Sequence, residues 1–200
     1  MMEKIKQELE KGKAVVLPTE TVYGLFAKAL DEKAVDHVYQ LKRRPRDKAL
    51  NLNVAGLDDI FSFSKHQPVY LKKLVETFLP GPLTIILEAN EKVPCWVNSD
   101  LNTVGFRMPS HPITLELIRE FGPLIGPSAN LSGQASGVSF YKILQDFDQE
   151  VLGIEDDDFL TGHDSTILDL TGKKVKILRQ GSIAQEDILT KIPEIPFEEV

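Results

Sequence analysis

Apolar positions along the chain switch between helical and strand spacing. Met2–Lys13 sets Ile5 and Leu9 four residues apart and ends near Gly12, a helix pattern with a stop signal. Ala14–Leu17 is a short apolar run with β-branched residues, predicting a buried strand that ends at Pro18. Asp31–Leu41 opens on an acidic residue and places Ala34, Val35, Val38 and Leu41 on one face, a helix stopped before Pro45. Leu50–Val54 reads as a strand, Leu57–Ser64 and Val69–Phe78 as helix-prone stretches. The Pro80-Gly81-Pro82 turn then feeds a strand at Leu83–Leu87. Thr103–Met108 alternates as a strand, Pro112–Phe121 as a helix, Pro123–Gly126 as an apolar strand and Tyr141–Phe147 as a helix. Ser165–Leu170 and Val175–Leu178 flank Thr171-Gly172-Lys173-Lys174 in a hairpin pattern, and a helix over Ala184–Ile192 follows. Strands alternating with helices, together with hairpins, indicate an α/β fold with a sheet of mixed direction.

At 200 residues, 42% hydrophobic and 26% charged, the chain supplies a real core for one large domain or at most two small ones. One domain is expected over residues 1–192, and the Pro-rich acidic tail, 193–200, is expected to be loosely held. No apolar run approaches the ~20 residues of a membrane span. The charged N-terminus lacks a signal-peptide core, so no membrane association and a cytoplasmic location are expected. The single cysteine, Cys95, excludes an internal disulfide and is expected as a packed thiol. Four scattered histidines show no metal-ligand spacing.

A net charge of −7 argues against binding duplex nucleic acid over the whole surface, because that calls for a basic face. Against this background Leu41–Leu50 concentrates Lys42, Arg43, Arg44, Arg46 and Lys48. Such a knot suits phosphate oxygens; it is also what a solvated loop beside a helix C-terminus looks like. Gly126–Gly133, GPSANLSG, can offer hydroxyls and backbone N–H groups to the same anion. Pro18–Leu25, PTETVYGL, follows a buried strand with two hydroxyls and a carboxylate, fit for a polar small molecule or a metal ion, or for a helix N-cap. Arg107 interrupts an apolar strand and needs a partner, either a bound carboxylate or an internal Asp or Glu. Ser165-Thr166 and Arg179-Gln180-Gly181 repeat the polar theme near the end. G-x-S-x-G, the P-loop pattern and G-x-G-x-x-G are all absent, so a nucleotide would be held by scattered Arg, Lys, Ser and Asn side chains.

Seven segments in order resemble the motifs of the YrdC-like family, which includes the threonylcarbamoyl-AMP synthases. They are PTETVYGL, Lys42-Arg43-Arg44-Pro45, LPGPLT (79–84), VGFRMP (104–109), PSANLSG (127–133), STILD (165–169) and LRQGSI (178–183). The resemblance implies a single domain whose twisted mixed sheet, flanked by helices, encloses a large concave, positively charged cavity. It implies synthesis of threonylcarbamoyl-AMP and pyrophosphate from L-threonine, bicarbonate or CO2 and ATP, with Mg2+ on the phosphates. The family signature falls on Lys42, Arg44, Ser128 and Asn130, the implied catalytic set. Arg44, Lys48, Thr103, Ser128, Ser136 and Arg179 would hold ATP; Thr21, Asn53, Arg107, Gly126 and Ser165 would hold L-threonine; no metal-binding residue is implied. The product would pass to a tRNA-modifying threonylcarbamoyl transferase complex. Three features depart from the family pattern. Asn53 stands where a His is usual and Ala49 where a Pro is usual; Arg43 is bulky where a small residue is common; the second domain of longer relatives is missing from this sequence. An alternative within the family is a non-synthase member that binds nucleotide or double-stranded RNA through the basic cluster, and a third is an accessory subunit with a vestigial cavity.

Overall fold

In the computed structural model, which describes residues 1–198, the elements alternate much as the apolar pattern indicates. They are α1 (Met2–Glu10), β1 (Val15–Leu17), β2 (Gly24–Lys28), α2 (Glu32–Lys42), β3 (Leu52–Asn53), α3 (Leu57–Phe63), β4 (Ser64–Lys65), α4 (Leu71–Phe78) and β5 (Leu83–Ala89). There follow α5 (Cys95–Asn98), β6 (Thr103–Arg107), α6 (Pro112–Phe121), β7 (Leu124–Ile125), α7 (Phe140–Asp146), β8 (Leu152–Gly153), β9 (Thr166–Asp169), β10 (Lys176–Arg179) and α8 (Gln185–Lys191). The strands form one sheet in the order β10-β9-β5-β6-β3-β7-β2-β1-β8, with β4 beside β5. Its direction is mixed: β3 runs parallel to β6 and β5 to β9, while β5–β6, β2–β7 and β9–β10 are antiparallel.

Local chemistry explains the helix ends that matter. Asp31 caps α2 by accepting from the Lys33 and Ala34 amides. At the other end Arg43 takes the left-handed conformation, φ 49°, that a glycine usually supplies. This reversal sends three consecutive basic side chains to different places, as described below.

Helices cover the two sheet faces unequally. On one face α2, α4, α7 and α8 pack over Val16, Leu25, Leu52, Ile85, Phe106 and Leu168 in the larger core. On the other, α1 and α6 bring Ile5, Leu9, Leu117 and Ile118 onto Val15, Leu17, Phe26 and Leu124 only. The rest of that second face, over β3, β6, β5 and β9, is left open, and the candidate site lies there.

Four differences from the sequence reading have physical causes. PTETVYGL leads into strand β2 rather than a helix, so its Thr and Glu cap nothing; Thr19 Oγ1 instead closes a tight turn by accepting from the Thr21 and Val22 amides, at 3.2 and 3.3 Å. The two-residue strands β4 and β8 are too short to show a period. Cys95 is exposed, because the first residue of the short α5 faces outward while Val97 and Asn98 turn inward. The segment 193–198, expected to be loose, is pinned: Ile195 is buried, and the Val175 backbone bonds both Pro196 O and the Glu198 amide, at 2.7 and 3.0 Å.

Candidate functional site

The uncovered part of the sheet is read most simply as a row of side chains standing side by side. Strand register places Asn53 opposite Leu124, then Arg107 opposite Asn53, Thr84 opposite Arg107, and Ile167 opposite Thr84. Leu124 is roofed by the smaller core. The next four line the floor of a cavity of about 330 Å3, within the range of small-molecule sites. Segments between and at the ends of the elements form its walls: Thr19, Tyr23 and Gly24 on one side, Arg44 with Ala49, Leu50 and Asn51 on another, Gly126–Ser128 with Ser136, and Asp164-Ser165 with Arg179.

Each polar group on the floor is already partly anchored. The Arg107 guanidinium donates to Glu20 Oε1 and to Thr21 Oγ1, both at 2.6 Å, and Glu20 Oε2 also accepts from the Ser110 amide at 2.9 Å. Of the two partners left open for Arg107, the internal carboxylate is therefore present. Arg107 Nε is nonetheless buried without a partner among the described residues, leaving a donor on a cavity-lining guanidinium. Ser165 Oγ meets Thr84 Oγ1 at 2.9 Å and accepts from Arg179 Nη2 at 3.1 Å, while Arg179 Nη1 lies 3.6 Å from Asp164. Asn53 donates to Leu124 O at 3.3 Å.

The basic knot separates into three roles. Lys42 is almost fully buried and does not line the cavity. Its ammonium donates to Ser128 O and, at 2.6 Å, to Asn130 O, so it ties α2 to the Ser128 turn. Burial, with the Arg44 charge adding to it, pushes its pKa down to about 7. Arg43 points out to solvent, as do Arg46, which pairs with Asp36, and Lys48. Arg44 alone lines the cavity, its fork holding Lys48 O at 3.1 Å and Ala49 O at 2.9 Å.

The Ser128 turn is stitched down by Leu25 N to Pro127 O at 2.8 Å and Ala129 N to Tyr23 O at 2.7 Å. Asn130 is folded within it, donating to Leu131 O and Gln134 O, at 2.9 and 3.0 Å. The segment 154–162 is bonded to the Thr19–Tyr23 wall, the Thr161 and Gly162 amides donating to Glu20 O and Thr21 O at 3.1 and 2.8 Å. Tyr23 OH donates to Asp157 at 2.6 Å and accepts from the Asp156 amide at 2.8 Å; burial, then the bond to Asp157, pushes its pKa well up.

Of the sequence-derived set, Arg44, Asn53, Arg107, Gly126, Ser128, Ser136, Ser165 and Arg179 come together around the cavity. Five do not line it. Lys42 and Asn130 hold the Ser128 turn from behind, Thr21 supports Arg107, Lys48 is exposed, and Thr103 sits at the far end of β6, opposite Glu88. Thr19, Tyr23, Thr84 and Ile167 line the cavity from within the quoted motif segments with no role assigned to them, and Asn51 and Asp164 line it from outside those segments. Asn51 had a signal, being a polar residue two positions before Asn53 in the same extended run, whereas Asp164 had none. Three guanidiniums and one carboxylate line the walls and floor. Among the described residues no group of three His, Cys, Asp or Glu could hold a metal ion, and no helix is long and apolar enough to cross a membrane.

A mixed α/β sheet whose open half forms a cleft set with arginines and small hydroxyls offers donors of the kind an anionic small molecule requires. The chain belongs to the Sua5/YciO/YrdC family, whose model, described as "Telomere recombination", matches residues 7–181. It is 40% identical over 189 residues to the threonylcarbamoyl-AMP synthase of Pyrococcus abyssi, covering 94% of this chain and 56% of that one. To the Bacillus subtilis threonylcarbamoyl-AMP synthase it is 38% identical over 183 residues, covering 90% and 53%. The structure of P. abyssi Sua5 complexed with L-threonine superposes with a TM-score of 0.90 at 38% identity, over 98% of this chain and 58% of that one. The chain thus spans about half the length of the curated relatives it matches.

Proposed function

We propose that this chain makes threonylcarbamoyl-AMP and pyrophosphate from L-threonine, bicarbonate or CO2 and ATP, as a nucleotidyltransferase. The observation that carries this reading is Arg107. It is a guanidinium fixed on the cavity floor by Glu20 and Thr21, with its buried Nε unpartnered among the described residues and Arg44 and Arg179 lining the same cavity. The likeness to relatives bearing that name and to a threonine complex supports it.

In the proposed reaction the threonine amine takes up CO2 to give a carbamate, and a carbamate oxygen attacks the α-phosphorus of ATP with departure of pyrophosphate. No protein nucleophile is needed, so catalysis rests on positioning and on charge at phosphorus. Arg107 is assigned to the threonine carboxylate, with Asn53, Ser165 and the Gly126 backbone around it. Arg44, Ser128, Ser136 and Arg179 are assigned to phosphate oxygens, and Lys42 and Asn130 to holding the Ser128 turn in place. Thr103 and Lys48 enter only where a bound nucleotide extends beyond the cavity. Asp164 is the one carboxylate on the lining among the described residues, fewer oxygen ligands than a protein-held Mg2+ would call for. Mg2+ would enter with the triphosphate and offset part of its charge. A cytoplasmic location and passage of the product to a tRNA-modifying transferase complex complete the proposal.

A second reading, nucleotide or RNA binding without synthesis, draws on exposed Arg43, Arg46 and Lys48. Pyrophosphate release from ATP, measured with Mg2+ and bicarbonate, with and without L-threonine, separates the two. Release that depends on threonine and is lost in Arg44→Ala establishes synthesis. Absence of release with every amino acid tried overturns it, and RNA binding that weakens steeply with salt then supports the second reading.

A further inference from the structure

Arg179 reaches the cavity through an irregularity in an edge strand. β9 and β10 pair Ile177 with Leu168, and regular pairing would next join Leu178 to Ile167; instead the register shifts and Arg179 stands opposite Ile167. Leu178 becomes the extra residue of a bulge and is left exposed, while Arg179 takes the side of the sheet on which Ile167 lines the cavity. Ser165 anchors it there, its carbonyl accepting from Arg179 Nε at 3.0 Å and its hydroxyl from Nη2 at 3.1 Å. Nη1 makes no hydrogen bond among the described residues, and Asp164 Oδ2 stays 3.6 Å from it, too far for one.

The guanidiniums that line the cavity are thus held in different ways. Arg107 is clamped by the sheltered Glu20, and Arg44 by two backbone carbonyls. The Arg179–Asp164 pair is loose, its side chains 43% and 44% exposed. Both residues also line a second cavity, with His163, Gln180 and Ser182. An exposed pair of that length adds little to stability. The fold therefore does not account for a carboxylate standing in a cavity otherwise set with arginines.

We infer that Asp164 is a positioning residue that acts through Arg179, standing in for a phosphate on Nη1 while the cavity is empty and taking the guanidinium back as pyrophosphate leaves. This rests on the nucleotide reading of the cavity. Phosphate oxygens make charge-assisted bonds to a guanidinium at about 2.8 Å, so they displace a carboxylate held at 3.6 Å. The second cavity gives the displaced carboxylate room to turn away from them. Arg179 keeps both Ser165 bonds through the exchange, and only Nη1 changes partner. The reverse exchange opposes retention of product. A cluster of guanidiniums with no competing anion would hold pyrophosphate, and product release limits turnover in many enzymes. Glu20 cannot serve in this way, because Arg107 and the Ser110 amide fix both of its oxygens.

The test is direct titration of the purified chain with pyrophosphate and with ATP at fixed ionic strength, together with steady-state pyrophosphate release. It compares the wild type, Asp164→Asn, Asp164→Glu, Arg179→Ala and the double variant Asp164→Asn/Arg179→Ala. Asp164→Asn keeps the side chain's shape and removes the competing charge. It should tighten pyrophosphate and ATP by about fivefold, the upper end of what an exposed ion pair is worth, and lower KM for ATP and kcat together. Asp164→Glu should behave as the wild type, and in the Arg179→Ala background Asp164→Asn should change affinity little. Unchanged or weaker pyrophosphate binding in Asp164→Asn overturns the inference. Equal tightening with and without Arg179 also overturns it, since Asp164 would then act by plain repulsion. Either result leaves the nucleotide site standing. Failure of the wild type to bind either ATP or pyrophosphate removes the nucleotide reading and the inference together.

Discussion

Arg107 and Glu20 meet at 2.6 Å with only 14% and 12% of their side chains exposed, joining the end of β6 to the turn after β1, 87 residues away in the chain. An ion pair this sheltered is costly to break, because the surviving charge loses both its partner and most of its water. Glu20 also accepts from the Ser110 amide, so the pair fixes the end of β6 as well as the guanidinium.

Glu20→Gln should therefore destabilise the fold by about 3 kcal/mol, the scale for leaving one member of a buried pair uncompensated. Urea unfolding of the two proteins measures it. A difference below about 0.5 kcal/mol would place the Arg107 charge in the class of exposed pairs, solvated by cavity water.

Lys42 gives a pH signature. Its folded-state pKa is pushed down to about 7 from the ordinary 10.5, so between those values the unfolded chain holds a proton that the folded chain has released. Stability then rises with pH across that window, and the cost of burying the ammonium is present in full below pH 7. The two carbonyl contacts survive deprotonation, since a neutral amine still has two N–H donors for Ser128 O and Asn130 O. Urea midpoints followed from about pH 6.5 to about pH 9.5 should rise more steeply in the wild type than in Lys42→Met. Parallel slopes would show that the ammonium is not held at a depressed pKa.

Gly126 sits where the smaller core meets the cavity. A Cβ there would stand 2.5 Å from the ring of the fully buried Phe26 and 2.9 Å from Asn53 Nδ2. Gly126→Ala is expected to lower stability by about 2 kcal/mol through overpacking and to weaken L-threonine binding by displacing Asn53. Thermal unfolding and threonine titration check the two effects separately; unchanged threonine affinity would detach Asn53 from that site.

Much of this was legible in the residue order because short-range patterns carry it. Apolar periodicity located the principal helices and most strands to within a few residues, and a lone arginine in the TVGFRM strand announced a buried charge in need of a partner. The mixed direction of the sheet followed from hairpins alternating with helices. β4, β8 and β2 escaped, since a two-residue segment shows no period of its own and PTETVYGL carries capping residues that happen to form a turn.

The sequence by itself determined which residues are basic, hydroxylic or conformationally free, and that they cluster in loops after strands. It did not determine which of them share a cavity. Lys42, Arg43 and Arg44 are equivalent as letters; a left-handed residue at the end of α2 buries the first, exposes the second and aims the third at the site. Glu20 became the partner of Arg107, and Asn51 the neighbour of Gly105, only through strand register and loop closure over long separations. Periodicity is a property of adjacent residues, whereas a site is made where distant segments are packed together by a common core, and that packing exists only in the folded chain.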